Sequence, residues 1–138
     1  MAKIKVLIVD DSAAIRRVLM MAFQGTTDLL VVGAVADGRK ALDQLAALRP
    51  DVMVLDLEMP VLDGAATLVE LRKTHGRQQL PVIIFSTLIK GSKEALRLLY
   101  EGANDYVCKP SQLQADAAIK QIQDELIPKI RHLAPRAS

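Results

Sequence analysis

The chain of 138 residues is 51% apolar and 25% charged, with a formal net charge of +2 and a single cysteine. These totals describe one globular domain able to bury about 68–70% of its unfolded surface, and they exclude a disordered or fibrous protein and an internal disulfide framework. The basic residues are scattered rather than striped, which argues against nucleic acid as a partner, and the apolar stretch of "MAKIKVLIVDD" is too short for a signal peptide or a membrane span, so a cytoplasmic domain with no membrane partner is expected.

Along the chain two periods alternate. Short apolar runs rich in β-branched residues predict strands at Ile4–Val9, Leu30–Val35, Val52–Leu55, Val82–Phe85 and Asp105–Cys108. The first, third and fourth are apolar on both faces, as buried parallel strands are. Between them the spacing turns helical, with Ile15, Val18, Leu19 and Ala22, then Ala41, Leu42, Leu45 and Leu48. Leu68 with Leu71, and Ala95, Leu96 and Leu99, continue the pattern. A last helix carries Ile119, Ile122, Leu126 and Ile130, its start marked by Ser111 and Gln114 at capping-box spacing. Pro128 is expected to kink or end that helix, although apolar residues continue beyond it to Leu133. Strands alternating with helices predict an α/β domain whose parallel sheet is covered on both faces.

In such a sheet ligands bind outside the carboxyl ends of the strands. Strand one ends in Asp10-Asp11, strand three in Asp56 with Glu58 just past it, strand four in Ser86-Thr87 and strand five in Lys109-Pro110. Each has an ordinary explanation on its own: Ser12 suits a helix N-cap, Asp63-Gly64 suits a turn, and a lysine before proline suits the surface. Their joint occurrence is harder to explain, because carboxylates about 4 Å apart repel by roughly 4 kcal/mol at an effective dielectric near 20. Asp10, Asp11 and Asp56 against Lys109 leave two negative charges, which a divalent cation would neutralise. Only oxygen ligands are offered, favouring Mg²⁺, with Mn²⁺ possible, over zinc. Such an ion would in turn draw in a phosphoryl group that bare carboxylates repel.

With "VDDS", "VLDLEMPVLDG", "IIFST" and "GANDYVCKP" in order, residues 4–125 resemble the receiver domain of two-component response regulators. The resemblance implies a flavodoxin-like (βα)5 three-layer fold with five parallel strands in the order 2-1-3-4-5, an order given for a chemotaxis receiver among the known examples of this fold. It implies that Asp56 is the phosphoacceptor, attacking a phosphohistidine of a sensor histidine kinase, and that Asp10, Asp11, Asp56 and the backbone carbonyl of Glu58 bind the metal. Lys109 would pair with the phosphoryl group and Ser86 would hydrogen-bond to it. Pro110 would follow a cis peptide bond that aims Lys109 inward. Ser86, Tyr106 and Pro110 would act as the switch, Tyr106 moving into space that Ser86 vacates and altering the helix 4–strand 5–helix 5 face presented to an effector domain or output protein.

Within the family, "FSTLIKGSKEAL" and "GANDYVCKPS" are most similar to the N-terminal receiver of the chemotaxis protein-glutamate methylesterase. Residues 1–126 are then expected to form the receiver and 127–138 the start of an interdomain linker. No G-x-S-x-G motif is present, so no enzyme is expected in this chain. A stand-alone receiver of another pathway is the alternative. A flavin carrier shares the fold, but Asp10-Asp11 would repel its phosphate. A phosphatase with an aspartyl-phosphate intermediate would find a general acid in Glu58, two residues after Asp56, yet its nucleophile belongs after the first strand. Cys108 reads as a small strand residue, and His75 and His132 as surface residues.

Overall fold

Each of the five apolar runs forms a strand: β1 (Ile4–Val9), β2 (Leu29–Val35), β3 (Val52–Leu55), β4 (Val82–Ser86) and β5 (Asp105–Cys108). The computed structural model describes residues 3–87, 91–110 and 114–135. The strands are all parallel, in the order β2-β1-β3-β4-β5. Every residue of β3 and β4 is buried, while most residues of the edge strands β2 and β5 are partly or fully exposed. The difference follows from layering, since inner strands have a neighbour on each side and helices on both faces.

The connections are α1 (Ala13–Gln24), α2 (Gly38–Leu48), α3 (Gly64–Arg72) and α4 (Lys93–Glu101), and the chain closes with α5 (Ala115–Gln121), a π-helical turn (Ile122–Leu126) and α6 (Ile127–Leu133). Leu19, Phe23, Ile122, Leu126, Ile127 and Ile130 pack with Val6, Ile8, Val52 and Val54 on one face of the sheet. Ala41, Leu45, Leu68, Leu71 and Leu98 pack with Leu7, Val9, Met53 and Leu55 on the other. This is the expected three-layer arrangement.

Ser12, Asp37, Asp63 and Ser92 cap the first four helices, each side chain accepting from a backbone N–H three residues on, worth about 1 kcal/mol apiece. Asp63 is therefore a helix cap rather than a turn residue alone. Ser111, half of the expected capping box, lies outside the described residues, and Gln114 stands at the N-cap without a side-chain cap bond. Nor does the last helix end at Pro128. Proline has no N–H and its ring collides with the carbonyl four residues back. A widened turn immediately before it, in which the Ile127 N–H donates to Ile122 O, accommodates the ring, and the helix continues to Leu133.

Candidate phosphoacceptor and metal site

The winding of the chain reverses between β1 and β3, and α1 and α3 leave opposite faces, so a crevice opens at the carboxyl ends of these two strands. Val9 pairs with Leu55 in register, which sets Asp10 beside Asp56, and the Asp56 N–H donates to Val9 O at 2.8 Å. Asp10, Asp11 and Asp56 each bring a carboxylate oxygen within 4.8 Å of the others; Asp10 and Asp56 are buried and Asp11 is exposed.

Lys109 enters from the far side. Ser86 pairs with Cys108 in register, and the Lys109 N–H donates to Ser86 O at 2.8 Å, continuing the ladder one residue past the strand. The ammonium then reaches across to Asp10 Oδ2 at 2.8 Å and Asp56 Oδ1 at 3.1 Å. It does so with a trans bond before Pro110, since no cis peptide bond occurs among the described residues. The expected cis bond is thus corrected: X–Pro bonds favour trans by about 0.5–1 kcal/mol, and the long, flexible lysine side chain closes the distance without it.

Backbone donors fix the acids. Asp10 Oδ1 accepts from the Ser12 N–H at 2.9 Å and Asp56 Oδ1 from the Leu57 N–H at 2.8 Å. Asp10 Oδ2 is fully buried, and although the ammonium stands 2.8 Å away, no donor among the described residues is directed at it with hydrogen-bond geometry. Burial, and then the charge of Asp10, raise the Asp56 carboxyl above the ordinary carboxylate range despite Lys109. Burial draws the Lys109 ammonium down, but the adjacent carboxylates, Asp10 first and then Asp56, outweigh it and leave the ammonium raised. The site is therefore charged, partly desolvated and short of positive charge. Its all-oxygen donor set and under-coordinated Asp10 Oδ2 fit a hard divalent cation.

The other expected residues are placed as follows. Ser86 is buried at the tip of β4, and its hydroxyl makes no hydrogen bond to the acids among the described residues. The Glu58 side chain is exposed and stands outside the acid cluster. Tyr106 is half-buried against the core, and its hydroxyl accepts from the Gly91 N–H at 2.9 Å, so it does not point freely into water. Part of the "STLIKG" segment and the serine of "KPS" lie outside the described residues.

Two features escaped the sequence reading. Gly64 lies so close to β3 that a Cβ there would sit 2.2 Å from Asp56 O, so only glycine lets α3 start directly beneath the acid. Arg16 Nη1 donates to the Asp10 carbonyl at 2.7 Å. Its only sequence signal is an arginine at the fourth position of the helix that follows the acid pair.

The sequence profile of the response regulator receiver domain matches residues 6–121. A protein-glutamate methylesterase/protein-glutamine glutaminase from Nocardioides sp. is 40% identical over 138 residues, covering 99% of this chain and 37% of that protein. Another from Syntrophomonas wolfei is 42% identical over 133 residues, covering 95% of this chain and 36% of that protein. The chain thus spans about a third of the length of these curated relatives. Among solved structures, the response regulator domain of Thermotoga maritima CheB superposes with a TM-score of 0.84 at 36% identity, over 95% of this chain and 96% of that one. The CheX–CheY–BeF3–Mg²⁺ complex from Borrelia burgdorferi matches with a TM-score of 0.70 at 25% identity, over 91% of each chain.

Proposed function

This chain belongs to the response regulator receiver domain family, and from that premise we propose that it accepts a phosphoryl group on Asp56 from the phosphohistidine of a sensor histidine kinase. One observation carries the proposal: three carboxylates converge at the β1–β3 crevice while a single ammonium bridges two of them. Such a cluster is costly for folding alone and suited to receiving a phosphoryl group once a cation is present.

Asp10, Asp11 and Asp56 would hold Mg²⁺, or Mn²⁺ in its place, with the Glu58 backbone carbonyl. When bound, the ion supplies the positive charge that neutralises the phosphoryl oxygens. Among the described residues no donor reaches Asp56 Oδ2, which leaves it free to attack. A new O–P bond forms as the donor's P–N bond breaks, and the electron pair stays on the imidazole nitrogen, which takes up a proton. No general base is required, because an ionised carboxylate is already the nucleophile. Lys109 would exchange part of its contact with Asp56 for the phosphoryl oxygens, and positioning with charge stabilisation would do the rest. The Mg²⁺ named in the CheX–CheY–BeF3–Mg²⁺ complex supports the ion by kinship.

Ser86, Tyr106 and Pro110 would form the switch, the Tyr106–Gly91 hydrogen bond being the contact that changes when Ser86 moves toward the phosphoryl group. Output would pass through the α4–β5–α5 face to an effector domain or output protein. By likeness to the methylesterases, the pathway is chemotaxis in the cytoplasm and the effector a protein-glutamate methylesterase. In this scheme residues 1–126 are the receiver and 127–138 begin the interdomain linker. α6 would then be the linker's docked first helix, tied down by Lys129–Asp105 at 2.8 Å and Arg131–Asp28 at 2.8 Å. No helix among the described residues is long and apolar enough to cross a membrane.

The test is incubation with a small acyl-phosphate donor, with and without Mg²⁺, followed by intact-mass measurement of the native chain and Asp56→Asn. A Mg²⁺-dependent phosphoryl adduct on the native chain alone is expected. Equal labelling of Asp56→Asn would remove Asp56 from the role.

A further inference from the structure

We propose that Arg16 is a positioning residue of the acidic site, holding the Asp10 backbone carbonyl so that Asp10 and Asp11 present their carboxylates to a divalent cation; this rests on the metal-assisted reading above. The connection between β1, which ends at Val9, and α1, which begins at Ala13, is only Asp10-Asp11-Ser12. Three of the four polar atoms of Asp10 are hydrogen-bonded within it or across it. The N–H donates to Val35 O at 3.0 Å, Oδ1 accepts from the Ser12 N–H, Oδ2 faces Lys109, and the carbonyl accepts from Arg16 Nη1 at 2.7 Å. Asp11 has no side-chain hydrogen bond among the described residues, so the turn alone aims its carboxylate.

Helical side chains lean toward the N-terminus of their helix. An arginine at the fourth position of α1 can therefore reach back over the first turn to a residue six positions earlier, as Arg16 does. The half-buried guanidinium touches a carbonyl rather than a carboxylate. It thus occupies no lone pair that the cation needs, while pinning the strand end from which two of the three acids project.

Two effects of opposite sign follow. As a charge, Arg16 repels a cation from the site, and as a hydrogen-bond donor it pre-organises the ligands. The proposal is that the second dominates, and the sign of a single measurement separates them. Mn²⁺ binding is followed by electron paramagnetic resonance of the free ion at fixed ionic strength, on the full 138-residue chain, with urea denaturation confirming that each variant folds. Arg16→Met should weaken Mn²⁺ binding about tenfold, the low end for substituting a group that orients metal ligands. Arg16→Lys, which keeps a long donor, should recover part of that loss. Should Arg16→Met fail to fold, Arg16→Gln replaces it, since its shorter amide cannot span the gap. Unchanged or tighter binding in the Met or Gln variant overturns the proposal. If instead the native chain binds no more Mn²⁺ than Asp11→Asn does, the metal-site reading itself fails, and Arg16 with it.

Discussion

Replacing Lys109 with methionine keeps an unbranched side chain one atom shorter and removes one positive charge from between two buried acids. At an effective dielectric near 20, unit charges about 3 Å apart attract by roughly 5–6 kcal/mol, and carboxylates about 4.8 Å apart repel by roughly 3 kcal/mol. Lys109 makes two such attractive contacts, at 2.8 and 3.1 Å, with its own side chain only 13% exposed. Desolvation offsets much of that attraction in the native chain. It does not disappear with the lysine, because the acids stay buried. Removing one member of a buried ion cluster costs about 3–5 kcal/mol, a large share of the roughly 5–15 kcal/mol that holds a domain together. The pH dependence carries a sign. Burial, and then Asp10, already hold Asp56 above its ordinary range, with Lys109 pulling the other way; without the lysine it rises further. A carboxyl whose folded-state pKa exceeds its unfolded value binds more protons when folded, so stability falls as pH rises through that window and recovers on acidification. Urea denaturation of Lys109→Met in metal-free buffer should therefore show the full loss at neutral pH and a smaller one at mildly acidic pH, with Mg²⁺ restoring part of it. A loss below about 1 kcal/mol, or one that is the same at both pH values, would refute the electrostatic account.

The same physics makes Asp56→Asn more stable than the native chain at neutral pH without metal, since the carboxyl it removes is held above its ordinary range; a lower urea midpoint for the variant would count against this. Arg72 donates to Gly102 O, His75 O, Gly76 O, Leu80 O and Asn104 Oδ1, joining α3 to the turns that flank β4 and β5. Arg72→Ala should cost about 3 kcal/mol, and Arg72→Lys should recover little because an ammonium cannot serve that planar fan of acceptors. Val61 holds φ at 68° with its side chain 81% exposed. Such strain costs about 1–3 kcal/mol, so Val61→Gly should gain about 1 kcal/mol net of the added freedom of the unfolded chain, as a rise in the denaturation midpoint. Arg131→Met should lose about 0.5 kcal/mol, less at high salt. The Arg131 hydrogen bond, and then its charge, hold Asp28 below its ordinary range against slight burial, so the native advantage should fade as pH falls through the folded-state pKa of Asp28.

The apolar runs at Ile4–Val9, Val52–Leu55 and Val82–Phe85 were legible because strands buried on both faces must be apolar throughout, and their carboxyl ends necessarily bring Asp10, Asp56 and Ser86 to one edge. The acid pair, the lone lysine and the all-oxygen chemistry were legible for a similar reason, since residue type alone restricts what such a cluster can hold. The alternation of strand and helix patterns likewise decided the fold class before any contact was known. Other features depended on distances that no local pattern encodes. The family resemblance implied a cis bond before Pro110, but reach across the crevice decides the geometry there, and Lys109 achieves it in trans. Pro128 reads as a stop in one dimension; a wide turn at Ile122–Leu126, held by the core packing of Ile122 and Leu126, let the helix pass it. Gly64 beneath Asp56, Arg16 on the Asp10 carbonyl and the fan of carbonyls around Arg72 are meetings of groups distant in direction or in sequence. Periodicity records which face of an element is apolar, and only the packed chain determines which polar atoms meet across the gaps between elements.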